Sequence, residues 1–98
     1  MPMRPIHPGE ILREEILTDL NLSAKQMAEA LGVPPNRVTE ILRGRRSVTA
    51  DTALRLAQWL GTTPDVWLNL QKSYDLAVAE LANGDEIKRT VRRLETAA

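Results

Sequence analysis

Within eight residues the chain carries Asn36, Arg37, Thr39, Glu40 and Arg43, side chains that all hydrogen-bond and together supply donors and acceptors. On a helix, at about 100° per residue, Asn36, Thr39, Glu40 and Arg43 point away from Val38, Ile41 and Leu42, with Arg37 on the flank. The chemistry such a face can do is the reading of base edges: Asn suits adenine, Arg suits guanine and Glu suits the amino group of cytosine. Asn36, Arg37, Thr39 and Glu40 are therefore expected at bases. Arg43, Arg45 and Arg46, with Thr49 and Thr52 beyond them, are expected at phosphates, where they set strength more than sequence. Nothing comparable exists for catalysis. There is no cysteine, one histidine (His7) without a ligand cluster, no glycine-rich phosphate loop and no nucleophile paired with a base. The expectation is a protein that is not an enzyme and that uses neither metal nor cofactor.

The elements that must present this face are legible in residues 23–44. Ser23 is a good N-cap for a helix with Ala24, Met27, Ala28 and Leu31 inward. Gly32 ends that helix, and Val33 and Pro34 each precede a proline and are pushed towards extended geometry. Pro35 suits the first position of a second helix, because no N–H is needed there. Two short helices, a stiff turn and a polar face near the start of the second match the helix-turn-helix that enters the DNA major groove. The bland alternative is a helical hairpin with a solvated face.

The whole chain sets bounds on that reading. Ninety-eight residues make one small domain, and 43% apolar residues with few aromatics give an aliphatic core suited to packed helices. No run has the length and apolarity of a membrane span and residues 1–8 lack the apolar stretch of a signal peptide, so the expected location is the cytoplasm. The net charge is zero, yet residues 37–46 hold four arginines against Glu40, while residues 10–19 hold four acids against Arg13. A neutral total with a basic patch remains compatible with binding to double-stranded DNA.

Residues 1–8 are expected to form an arm with Ile6 tucked against the body. A first helix comes next, with Ile11, Leu12, Ile16, Leu17 and Leu20 inward and Glu10, Glu14, Glu15 and Asp19 as an acidic outer surface, either solvated or a docking face for a basic partner. A fourth helix is expected from Thr49 or Ala50 to Gly61 with Ala53, Leu54, Leu56, Ala57 and Leu60 inward. Thr63 then caps a long helix over residues 64–82, about 28 Å, that stops at Asn83 and Gly84. Its seam of Trp67, Leu70, Tyr74, Ala77 and Leu81 outruns one small domain, so Tyr74, Ala77 and Leu81 are expected to form a homodimer interface. A last short helix is expected from Asp85, with Lys88, Arg89, Arg92 and Arg93 as its basic face.

Three stretches carry a family resemblance: HPGEILREE, then SAKQMAEALGV with VTEILRGRRSVTADTALRLAQWLG, then WLNLQKSYDL. Over about residues 5–76 the chain resembles the HigA-type antitoxins, a branch of the Xre/lambda-repressor-like regulators. The resemblance implies an all-α, five-helix, lambda-repressor-like DNA-binding domain with a long fifth helix and a short C-terminal helical extension. The corresponding division is an arm at 1–8, the domain at 9–76 and the extension at 77–98. It also implies a sequence-specific antitoxin that neutralises a RelE-like mRNA-cleaving toxin and represses its own operon, with operator DNA and the toxin as partners. Where many relatives have Ser or Thr, this chain has Pro34 and Pro35, which removes a hydroxyl and two backbone N–H donors. The competing readings are a solitary regulator without a toxin and a helical interaction module without DNA readout.

Overall fold

His7 starts the first helix. Its backbone is extended, and its Nδ1 accepts the Gly9 N–H at 2.9 Å, with Pro8 in the first helical position and Glu10 in the first turn. The computed structural model describes residues 4–95, and α1 (residues 8–20) runs continuously through Pro8–Ile11, a π-wound Leu12–Leu17 and Thr18–Leu20. The wider i→i+5 winding brings Leu12 and Leu17, five residues apart, to the same buried side. Leu20, expected inward, is the last residue of the helix and is 53% exposed. Asn21, at φ 54°, ends the helix.

The helix α2 (Ala24–Leu31) begins with a reciprocal cap: Ser23 Oγ accepts the Gln26 N–H at 3.1 Å and Gln26 Oε1 accepts the Ser23 N–H at 2.8 Å. Gly32, at φ 68°, closes it in the left-handed region. Pro34 and Pro35 lead into α3 (Pro35–Leu42), and Val38, Ile41 and Leu42 are buried as the spacing requires. After Gly44, α4 (Ala50–Leu60) starts at Thr49, whose hydroxyl accepts the Thr52 N–H. Ala53, Leu56 and Ala57 face the core, whereas Leu54, a step of about 100° round from Ala53, is 60% exposed and not inward as expected.

The largest departure is α5 (Pro64–Thr90), 27 residues and about 40 Å long. Thr63 holds the N-cap position but makes no side-chain cap, and the helix runs straight through Asn83 and Gly84. A glycine in a helix costs only about 1 kcal/mol against alanine, and Glu80, Leu81, Ala82, Glu86 and Lys88 around it are good helix formers. Asp85 is therefore an interior residue, not the cap of a separate helix; the extension continues α5 only as far as Thr90, and Arg92 and Arg93, expected on a helical basic face, lie beyond its end. The division expected at residues 76 and 77 falls inside that helix. At the other end, Pro8 of the expected arm already belongs to α1.

One core joins the five helices, built from Leu12, Leu17, Met27, Ala28, Leu31, Val38, Ile41, Leu42, Val48, Ala53, Leu56 and Trp67. Two buried polar side chains stitch loops to it. Gln71 accepts the Val48 N–H at 2.8 Å and donates to Asp75 at 2.9 Å. His7 packs edge-on against Tyr74, ring centroids 4.9 Å apart. Ile6 is partly exposed beside it.

Burial pushes the His7 imidazole below its ordinary pKa, against smaller opposing effects of the Arg46 backbone and the Asp75 charge. The neutral ring is the one that accepts the Gly9 N–H. Stability should therefore be complete above about pH 6.5, the unfolded value, and decline as pH falls from there through the depressed native value. Glu10, held low by Arg4, and Asp51, held low by Arg55 and Arg37, are both below the ordinary carboxylate range and do not contribute to the onset of that decline near pH 6.5. In His7→Asn, which retains a cap acceptor, urea unfolding should lose the decline that sets in as pH falls below about 6.5. A slope equal to wild type would show that another group carries it.

Candidate nucleic-acid interface

The face of α3 opposite Val38, Ile41 and Leu42 gathers the expected residues as drawn from the sequence. Asn36 and Arg43 are exposed, and Thr39 and Glu40 are half-buried beside them. Thr39 Oγ1 donates to Pro35 O at 3.0 Å, so its hydroxyl remains as an acceptor and its methyl as an apolar contact. Pro34 leaves the helix start without a side-chain cap. Arg45 and Arg46 stand exposed in the following loop, and Thr49 is exposed at the start of α4. Thr52 is different. It is 3% exposed with its hydroxyl 3.4 Å from that of Thr49, so it is a packed side chain and not a phosphate contact.

Arg37 is not a free side chain. Its Nη1 donates to Asp51 Oδ2 at 2.7 Å, and Arg55 Nε donates to the same oxygen at 2.9 Å. Arg55 reaches on through Nη1 to the carbonyls of Leu31 at 2.9 Å and Gly32 at 3.3 Å, capping the C-terminal end of α2. Arg13 does the same for α3, donating from Nη1 to Leu42 O at 3.1 Å. Two cations thus sit on the negative ends of the two helices of the motif. Gly9 completes the support: a Cβ there would stand 1.8 Å from Ile41 O, so α1 and the end of α3 meet backbone to backbone.

Gly9, Arg13 and Arg55 hold the two helices of the motif in place and Asp51 links Arg37 to Arg55, and no local signal in the sequence marks any of them for that. Only the i, i+4 spacing of Asp51 and Arg55 is visible in the chain, and it suggests no more than a surface pair. The other expected sites lie elsewhere. Glu14, Glu15 and Asp19 are exposed on α1, and Glu10 is turned towards Arg4 in a 2.7 Å ion pair. Tyr74 and Ala77 are half-buried and Leu81 is 68% exposed along α5. No group of three or more metal-ligating side chains converges among the described residues, and no described helix is long and apolar enough to cross a membrane.

Comparison with known proteins gives this geometry a family. Residues 12–67, more than half of the chain, match the helix-turn-helix family. An addiction module antidote protein of a HigA family from Coxiella burnetii is 55% identical, with a TM-score of 0.90 over 94% of this chain and 100% of that one. The chain belongs to the HigA-type helix-turn-helix family. HigA-type proteins are DNA-binding regulators and not enzymes, and the five-helix lambda-repressor-like fold is theirs. The antitoxin GraA in complex with its operator is 54% identical, with a TM-score of 0.90 over 98% of this chain and 97% of that one. Virulence-associated protein I of Dichelobacter nodosus is 55% identical over 78 residues, 80% of this chain and 72% of that protein.

Proposed function

We propose that this HigA-type chain is a sequence-specific DNA-binding antitoxin that represses its own operon as a homodimer and neutralises a RelE-like mRNA-cleaving toxin. The observation that carries the DNA part is the α3 face. It presents Asn36, Arg37, Thr39 and Glu40 beyond a stiff Gly32–Pro35 turn, with Arg43, Arg45, Arg46 and Thr49 flanking it for phosphates. The likeness to GraA bound to its operator supports placing that face in the major groove.

A footprint on the region upstream of this chain's own gene tests it. Asn36→Ala or Arg37→Ala should weaken binding to that region by about 1–3 kcal/mol and leave random DNA almost unaffected, as removal of a bidentate base contact requires. Removing Arg43, Arg45 and Arg46 should weaken both duplexes and flatten the salt dependence of each. Equal losses on both duplexes for Arg37→Ala would move Arg37 to the phosphate group.

The toxin part rests on the family and on charge. Glu14, Glu15 and Asp19 leave an exposed acidic surface on α1, complementary to a basic RNA-cutting protein. Reversing Glu14 and Glu15 to Lys should slow association with the toxin encoded beside this gene and release its activity in cells. Full protection by the double variant would place the toxin interface on another surface.

A further inference from the structure

We propose that Asp51 is a positioning residue for base reading: from the first turn of α4 it holds the Arg37 guanidinium by Nη1 alone, keeping the Nε–Nη2 edge for the paired acceptors of a guanine. This rests on the assignment of Arg37 as a base-reading residue. Arg37 has five N–H groups in a rigid fork. Among the described residues its side chain makes one hydrogen bond, Nη1 to Asp51 Oδ2 at 2.7 Å. An acidic residue sequestering this arginine from DNA would take the fork with both oxygens. Here both arginines converge on Oδ2, so Oδ1 is not spent on either.

Asp51 is itself fixed. Arg55 donates to it from Nε and is anchored from Nη1 on the carbonyls of Leu31 and Gly32. The hydrogen-bonded path therefore runs from the turn of the motif, through Arg55 and Asp51, to the reading side chain. Each link adds geometry that an arginine on its own lacks: a long flexible side chain must give up its rotamer freedom when it docks, and one already tethered gives up less. The two arginines also hold the Asp51 carboxyl below its usual range, so the tether stays charged at neutral pH.

The rival role for Asp51 has the opposite sign. Its side chain is more than half exposed in the first turn of α4, just after the N-cap Thr49. As a bare negative charge there it would only repel DNA, and its removal would strengthen binding to every duplex.

The test compares affinity for the chain's own upstream region with affinity for a random duplex at one salt concentration, in wild type, Asp51→Ala, Asp51→Asn, Arg37→Ala and Arg37→Ala with Asp51→Ala. The expected result is a loss on the order of tenfold in the ratio of the two affinities for Asp51→Ala, with random-duplex binding unchanged or slightly tighter. Asp51→Asn, isosteric but uncharged, should lose part of that ratio. In the Arg37→Ala background the Asp51 change should have no further effect on it. Should Asp51→Ala melt before it can be measured, Asp51→Asn carries the comparison. Tighter binding to both duplexes, or an equal loss with and without Arg37, overturns the positioning role. If Arg37→Ala alone leaves the wild-type ratio intact, base reading by Arg37 fails first, and the positioning role falls with it.

Discussion

Alanine in place of Gly9 should lower the unfolding stability of this chain by about 3 kcal/mol or more, a drop in melting temperature on the order of 12 °C or greater. Gly9 lies inside α1, where propensity alone favours alanine by up to about 1 kcal/mol. Packing decides against it. The added Cβ would stand 1.8 Å from Ile41 O and 2.7 Å from Ile41 C, atoms of a helix backbone that no rotamer change can move aside. Either α1 or the end of α3 must shift, and α3 presents the reading face. Operator binding should therefore fall even at temperatures where the variant remains folded. Gly84→Ala is the control of opposite sign. There the new Cβ meets only the far end of the Glu80 side chain, at 2.7 Å, and a flexible carboxylate can swing away. That variant should gain about 0.5–1 kcal/mol of helix stability. Thermal melts followed by circular dichroism measure both, and a Gly9→Ala protein as stable as wild type would show that the helix contact has slack.

The contrast between these two glycines explains what could be read in advance. The motif itself was legible because its signals are local: the Ser23 and Gln26 cap, Gly32 in the left-handed region, Pro35 at a helix start and the spacing of Met27, Ala28, Leu31, Val38, Ile41 and Leu42. The support of the motif was not. Arg13 meets Leu42 across 29 positions and Arg55 meets Leu31 across 24, and no periodicity encodes contacts between elements that only tertiary packing brings together. Periodicity also failed at the end of α1, where Leu20, the last helical residue before Asn21, is exposed, and in α4, where Leu54 is exposed. Asn83 and Gly84 look like a stop, yet their cost is small beside the gain from continuing a helix through good formers. Thr52 was misplaced for a related reason: a threonine in the first turn of a helix can face phosphate or core, and Val48, Ala53 and Leu56 beside it are core.

The continuous α5 leads to the second large effect. Converting Ala77 and Leu81 together to Glu should give a folded monomer of unchanged helix content whose affinity for its operator is lower by a factor on the order of a thousand. The chain measures 55 × 30 × 23 Å with a radius of gyration of 17.0 Å, against about 13 Å for a compact domain of this length. The excess is consistent with a 27-residue helix that outruns the body it packs on. Along its distal half Leu81 is 68% exposed and Val78, towards the same side of the helix, is also exposed, an apolar surface that its own domain leaves uncovered. Ala77 and Tyr74, one and two turns before Leu81 on the same side of the helix, line a groove with Arg4, Ile6, Ile11 and Leu70. A second copy related by a twofold axis would cover both at once, and it would set two α3 faces on half-sites about one helical turn apart. One face reads only a few base pairs; the second would supply the remaining contacts, and losing them would remove roughly half of the specific binding free energy. Two buried carboxylates per copy oppose the pairing while leaving the core of Leu12, Met27 and Leu56 untouched. Sedimentation read beside circular dichroism tests this. A double variant that still sediments as a dimer would reject the interface, and a wild-type chain that is monomeric at micromolar concentration would reject pairing through α5 altogether.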